Sequence, residues 1–204
     1  MGSRAFTLLE ILVCLAVMAV LASLVIPTTA AVREAAARQQ ARAQFRQWEL
    51  AMEEFRAEYG YLPDVTSGGL LDGAKFMAAL SGRDHTGAPL ANEALQGNVR
   101  RIGFHALSER ERLRTATGAA TAEVVDGFGN SQIVVMIDRD GDGMIRGHEV
   151  LALAIAAGNS RDGFTAAKTP PESIVGAATT IPARVAFYSA GKGSGPEPFL
   201  YSWR

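Results

Sequence analysis

Between Ile11 and Val32 the chain carries no charged residue, and this run begins almost at the N-terminus, directly behind a single carboxylate, Glu10. Only Ser23, Thr28 and Thr29 interrupt its apolar character. About 20 such residues cross roughly 30 Å of hydrocarbon as a helix, so the segment is long enough to span a bilayer. A charge inside hydrocarbon costs at least about 2.5 kcal/mol, and a chain keeps one there for a partner or a task. A cleaved secretory signal is the plain alternative, with Thr28-Thr29-Ala30 at its cut site. Such a signal has an apolar core of about 7 to 15 residues and no acid within it. Lipid attachment at Cys14 is disfavoured by Val13 in front of it, and Cys14 reads as a small apolar wall residue of a membrane helix.

The residues around Glu10 read Ala5-Phe6-Thr7-Leu8-Leu9-Glu10, behind a short leader whose one charge is Arg4. This arrangement resembles the class III signal of type IV prepilins and type II secretion pseudopilins. In that family a prepilin peptidase cuts before the Phe of a Gly-Phe-Thr-Leu-x-Glu motif, methylates the new amine and leaves Glu as the fifth mature residue. The resemblance implies cleavage between Ala5 and Phe6, with Ala5 standing where the family has Gly. It also implies roles for Phe6, Glu10 and Pro27 in assembly. Glu10 has two readings. It can pair with the Phe6 amine of its own chain, four residues away on one helical face, or with the amine of a neighbouring subunit, as in the family. Positive residues flank the run on both sides, Arg4 before it and Arg33, Arg38, Arg42 and Arg46 after it. A bare count of positive charges would leave the C-terminal side in the cytoplasm; the resemblance implies the opposite, with the head exported.

From Phe6 to Tyr59 there is no glycine, although the chain has 21 in all. This predicts one long helix whose only breaker is Pro27, where the family often bends or melts locally. Beyond Pro27, Phe45, Trp48, Met52, Phe55 and Tyr59 recur at helical steps of three and four, an apolar stripe that must pack on a head domain. At about 1.5 Å per residue the helix would reach about 80 Å, so its first half is expected to project. Arg residues crowd positions 33 to 46, and Glu49, Glu53, Glu54 and Glu58 follow. That segregation fits a solvated surface, or staggered neighbours whose basic and acidic stretches lie side by side. The expected divisions are residues 1–5 as leader, 6–26 as transmembrane and assembly helix, 27–59 as its amphipathic continuation, and 60–204 as head.

Gly60-Tyr61-Leu62-Pro63 ends the helix. In the head, 70–80 reads as a short helix, 99–107 as a strand and 108–115 as a small charged helix. Strands are expected at 124–125, 132–137, 184–189 and 199–203. The intervening Asp126-Gly127-Phe128-Gly129-Asn130 resembles the Asp-Pro-Trp-Gly-Asn-Pro turn of major type II pseudopilins. The fold class is α+β and pilin-like: a long N-terminal helix packed on a small antiparallel sheet.

Asp138 to Glu149 fits the twelve-residue EF-type calcium loop. Asp138, Asp140 and Asp142 hold positions 1, 3 and 5, Gly143 the turn, Met144 a carbonyl ligand and Glu149 the closing carboxylate. Without a cation the carboxylates repel one another. Arg146 weakens the match, since its position normally offers an oxygen, and a plain Asp-Gly hairpin is the alternative. Calcium is therefore the expected cofactor, on a loop entered from a strand. The family's own calcium site has no counterpart in 191–198, which lacks the needed acids.

No catalytic signature appears, so no enzyme is expected. His85, His105 and His148 are scattered, the Gly-Lys-Gly-Ser-Gly run lacks the upstream glycine of a phosphate-binding loop, and one Cys precludes an internal disulfide. The net charge is −1, and removing Arg4 would make it −2; Arg100, Arg101, Arg110, Arg112 and Arg114 interleave with Glu109 and Glu111 as a solvated face, so nucleic acid is not an expected partner. The resemblance implies a filament subunit stored in the inner membrane, head in the periplasm. Its expected partners are its own copies, other pilins, the prepilin peptidase, an inner-membrane assembly platform and the lipid bilayer. The rival reading is a membrane-anchored periplasmic calcium-binding protein that never polymerises.

Overall fold

The computed structural model describes residues 8–193 and 198–204, with the side chains of 22–30 outside the description. The processing residues Ala5 and Phe6 therefore lie outside the described residues. Contacts divide the chain into two units, Met1–Ala37 and Arg38–Arg204.

The glycine-free stretch forms a single helix, α1, Leu8–Tyr59. Helical backbone passes through position 27 without a break, so no local melting interrupts it there; the Pro27 side chain is outside the description. In the first unit the apolar residues from Leu8 to Leu21 are all exposed, Leu8 at 82% and Val13 at 52%. In the second unit Ala41, Phe45, Trp48, Met52 and Phe55 are each fully buried. The predicted stripe thus faces a core, and Tyr59 packs partly against it. Gly60 ends the helix with φ of 84° and a 2.7 Å bond from its N–H to the Arg56 carbonyl, a conformation that favours glycine.

The second unit is α+β. Strands β1 (Thr66–Ser67) and β2 (Leu70–Leu71) form a tight hairpin, and α2 (Gly73–Ser81) follows. Asp72 caps α2 by accepting from the Ala74 and Lys75 amides, and Gly82 closes it in the left-handed conformation. The expected helix therefore starts three residues later than 70, because Leu70 and Leu71 are taken by sheet pairing. β3 (Arg112–Arg114) and β4 (Ala120–Val124) form a separate hairpin, and β5 (Ile133–Ile137) is the long central strand. β6 (Ile145–Arg146), β7 (Gly158–Asn159), β8 (Gly163–Phe164) and β9 (Thr180–Ile181) are two-residue strands, and β10 (Val185–Ser189) and β11 (Leu200–Tyr201) complete the set.

The main sheet runs β1-β2-β5-β10-β11 with every pair antiparallel. β5 and β10 pair from Ile133 opposite Ser189 to Ile137 opposite Val185. Both strands are buried on their two faces, which explains why Ile133-Val134-Val135-Met136 runs apolar instead of alternating. One face, carrying Ile133, Val135, Val185 and Phe187, joins the Phe45 and Trp48 side of α1 in the first core. The other, carrying Val134, Met136, Ala186 and Tyr188, packs on Ile145, Ile155, Val175 and Ile181 in a second core. The rings of Phe45 and Phe187 stack at 5.7 Å, and Trp48 meets Phe76 and Phe187 edge-on at 5.1 and 5.6 Å.

Two expectations fail here. Residues 99–107 form one turn followed by irregular chain in place of a strand: Gln96 and Arg101 sit at positive φ, and the Phe104 and His105 amides both donate to the Leu80 carbonyl at the end of α2. Residues 108–115 form a turn and β3, not a helix. The Glu111 side chain reaches back to the Ser108 amide, as in half of a helix cap, but Arg112 and Arg114 then pair with β4.

Candidate functional site

Three groups of residues carry the chemistry of the second unit. The first is the turn at 126–130. Asp126 is 2% exposed, and every group facing its carboxylate donates. Oδ1 accepts from the Phe128 and Asn130 amides at 2.8 and 2.9 Å, and Oδ2 from Asn130 Nδ2 and Ser189 Oγ at 2.9 and 2.6 Å. Burial pushes this carboxyl up from the ordinary aspartate value, against donors that favour the charged form. Asn130 extends the network, donating to the Gly191 carbonyl at 2.6 Å and accepting from the Gly158 amide at 2.7 Å. The turn is a buried polar hub tying β10, β7 and the 191 region together.

The second group joins α1 to the β3–β4 hairpin. Trp48 Nε1 donates to Glu111 Oε1 at 2.8 Å, His105 Nε2 lies 3.1 Å from the same oxygen, and the Ser108 amide donates to Oε2 at 2.6 Å. Burial alone would raise the Glu111 pKa, but these contacts together hold it down to about 2. One turn earlier Gln44 Nε2 donates to the Val125 carbonyl at 2.7 Å. None of these pairings is visible in the sequence, where Glu111 reads as one charge of a solvated face. The available signal was a Trp on the core stripe, because a buried indole N–H needs an acceptor.

The third group is the acidic loop. It leaves β5, turns through Gly141 and Gly143 at φ of 79° and 87°, and passes β6 into a single turn of 3-10 helix at Gly147–Glu149. Carboxylate oxygens of Asp138, Asp140 and Glu149 lie within 4.8 Å of one another. Asp138 accepts from the Gly141 and Gly143 amides at 2.7 and 2.8 Å, and Glu149 Oε1 from the Arg139 and Asp140 amides at 2.6 and 3.3 Å. Burial tends to raise the Asp138 pKa, but the Gly143 and Gly141 amides and other smaller contributions leave it below the ordinary value. Asp142 is not in the cluster: it pairs with Arg146, one turn on. Met144 donates its amide to Asp142 and exposes its side chain. Arg184 Nη1 stands 3.9 Å from Asp138 Oδ2. Each carboxylate oxygen has two lone pairs, so the single N–H on each Asp138 oxygen leaves capacity there for a hard cation. Converging carboxylates of this kind fit calcium.

In the first unit Glu10 occupies the first turn of α1 and is exposed. Among the described residues no helix is long and apolar enough to cross a membrane. The expected span, 6–26, falls partly outside the description, since Phe6, Thr7 and the side chains of 22–26 are not described.

Comparison with known families gives one match: residues 1–26 fit the family model of the prokaryotic N-terminal methylation motif. No curated protein matches the chain, and no solved structure matches it. The match covers Ala5, Phe6, Glu10 and the apolar run as far as Ile26, and the architecture behind it is a long helix and an antiparallel sheet. The chain thus carries the prokaryotic N-terminal methylation motif, the type IV prepilin-like signal, in front of an α+β head.

Proposed function

We propose that this chain is a structural subunit of a type II secretion pseudopilus or a related type IV filament. Prepilin peptidase removes residues 1–5, and the mature chain waits in the inner membrane with its head in the periplasm. It then joins copies of itself and other pilins at an inner-membrane assembly platform, through its N-terminal helix. The observation that carries this reading is the methylation motif over residues 1–26. The exposed apolar surface from Leu8 to Leu21 supports it, because a patch of that extent calls for lipid or neighbouring helices. The role is structural and not catalytic: the buried acids Glu111 and Asp126 both serve internal hydrogen bonds. The reading assigns no nucleic-acid partner; of the basic residues, Arg100 and Arg114 pair with Glu58 and Glu109.

The acidic loop is proposed to hold calcium through Asp138, Asp140 and Glu149, whose oxygens converge; of the other two ligands the loop spacing assigns, the Met144 carbonyl and Asp142, the latter would have to leave its pairing with Arg146. The ion would neutralise like charges and stiffen the head for packing. Mass spectrometry of protein from cells with an active prepilin peptidase tests the maturation: the N-terminus should be methylated Phe6. Intact residues 1–5 would overturn the reading, as would a mature protein absent from sheared filaments.

A further inference from the structure

The last turn of α1, the chain just past β5 and the residue before β10 border one cleft of about 450 Å³, and each brings it a guanidinium: Arg56, Arg139 and Arg184. Backbone bonds fix the segments that carry them. The Gly60 amide closes α1 on the Arg56 carbonyl, and the Asp138 amide donates to the Arg184 carbonyl at 2.8 Å. All three cations can be reached from solvent, since Arg139 is exposed and the side chains of Arg56 and Arg184 are 37% and 34% exposed.

Donors outnumber acceptors in this cleft. Its two acids, Asp64 and Asp138, already have N–H and O–H partners: Asp64 accepts from the Thr66 amide and hydroxyl at 3.2 and 2.8 Å, and Asp138 from the Gly141 and Gly143 amides. Each guanidinium, by contrast, has five N–H donors to place. Arg56 commits Nε to Glu53 at 3.0 Å. Arg184 Nη1 stands 3.9 Å from Asp138 Oδ2, beyond hydrogen-bond reach. The Arg139 side chain makes no hydrogen bond or ion pair among the described residues. Three like charges from separate segments gain from an anion placed among them. Planar N–H forks match the two oxygens of a carboxylate. The two acids weigh against a doubly charged guest, and the half-buried Leu62 and Ile137 offer an apolar wall for carbon.

We propose that this cleft binds an organic monocarboxylate. Its oxygens accept from Arg56, Arg139 and Arg184, and its carbon chain lies on Leu62 and Ile137. Such binding holds whether or not the chain polymerises.

The probe is 4,4,4-trifluorobutyrate, titrated into the full-length chain in neutral detergent micelles and followed by fluorine NMR, with protein-free micelles as the blank. The buffer is freed of calcium on a chelating resin, because Asp138 is shared with the acidic loop. Saturable binding is expected. It should weaken about tenfold or more in Arg139→Gln and in Arg184→Gln, and stay unchanged in Arg161→Gln, whose guanidinium pairs with Asp162 elsewhere on the head. Arg139→Gln alters an exposed side chain without partners and should unfold at the wild-type temperature. The neutral 4,4,4-trifluorobutyramide should not bind, and sulfate at equal concentration should displace little of the probe. No saturable binding to wild type, undiminished binding to both cleft variants, equal binding of the amide, or ready displacement by sulfate would each overturn the site.

Discussion

At the residue scale the decisive side chain is Glu111, which is nearly buried and yet ionised because Trp48, His105 and Ser108 all point donors at it. Glu111→Gln keeps the shape but sets an amide N–H₂ against one of those donors. We expect a loss of about 1 to 3 kcal/mol in chemical denaturation. The pH dependence has a definite sign. The carboxyl titrates near 4.5 when unperturbed and near 2 in the fold, so the folded state binds its proton less readily. Its stabilisation is complete above about pH 4.5 and is lost as pH falls towards 2. Wild type should lose stability across that window, and Glu111→Gln should lose less. Asp126 offers a second case. Four donors and no acceptor surround it, so Asp126→Asn places an N–H₂ group among donors and should destabilise by about 1 to 3 kcal/mol, read as a lower denaturation midpoint.

At the element scale the acidic loop is where the spacing of residues and the folded geometry meet. Asp138, Asp140 and Glu149 converge, and calcium should raise the thermal midpoint of the full chain by mass action. Asp138→Asn should remove most of that rise while leaving a folded protein. A wild-type midpoint indifferent to millimolar calcium would end the cofactor reading. The loop was legible because its ligand spacing is written in consecutive residues. The turn at 126–130 was legible as a turn, but its burial was not, since that depends on Ser189 and Gly191, about sixty positions away. The same reason accounts for the misread segments. Residues 99–107 and 108–115 have strand-like and helix-like local composition, yet Leu80 carbonyl bonding and β4 pairing decide their conformation. The long helix was plain in the sequence, because a missing residue type and a 3.6-residue stripe are both local signals.

At the scale of the whole molecule, the proposed processing and assembly make Glu10 the residue to change. Glu10→Leu should still insert and be cleaved, and its abundance in sheared filaments should fall severely; wild-type incorporation would refute an assembly role. Gln44 and Trp48 hold α1 to the β3–β4 hairpin through two side-chain hydrogen bonds, one turn apart, at 2.7 and 2.8 Å. A pull on that helix loads both bonds together with the aromatic cluster around Trp48, because all three sit within about one turn of it. Within residues 38–204, a single-molecule force trace should therefore show one cooperative rupture where the Gln44 and Trp48 anchors are intact.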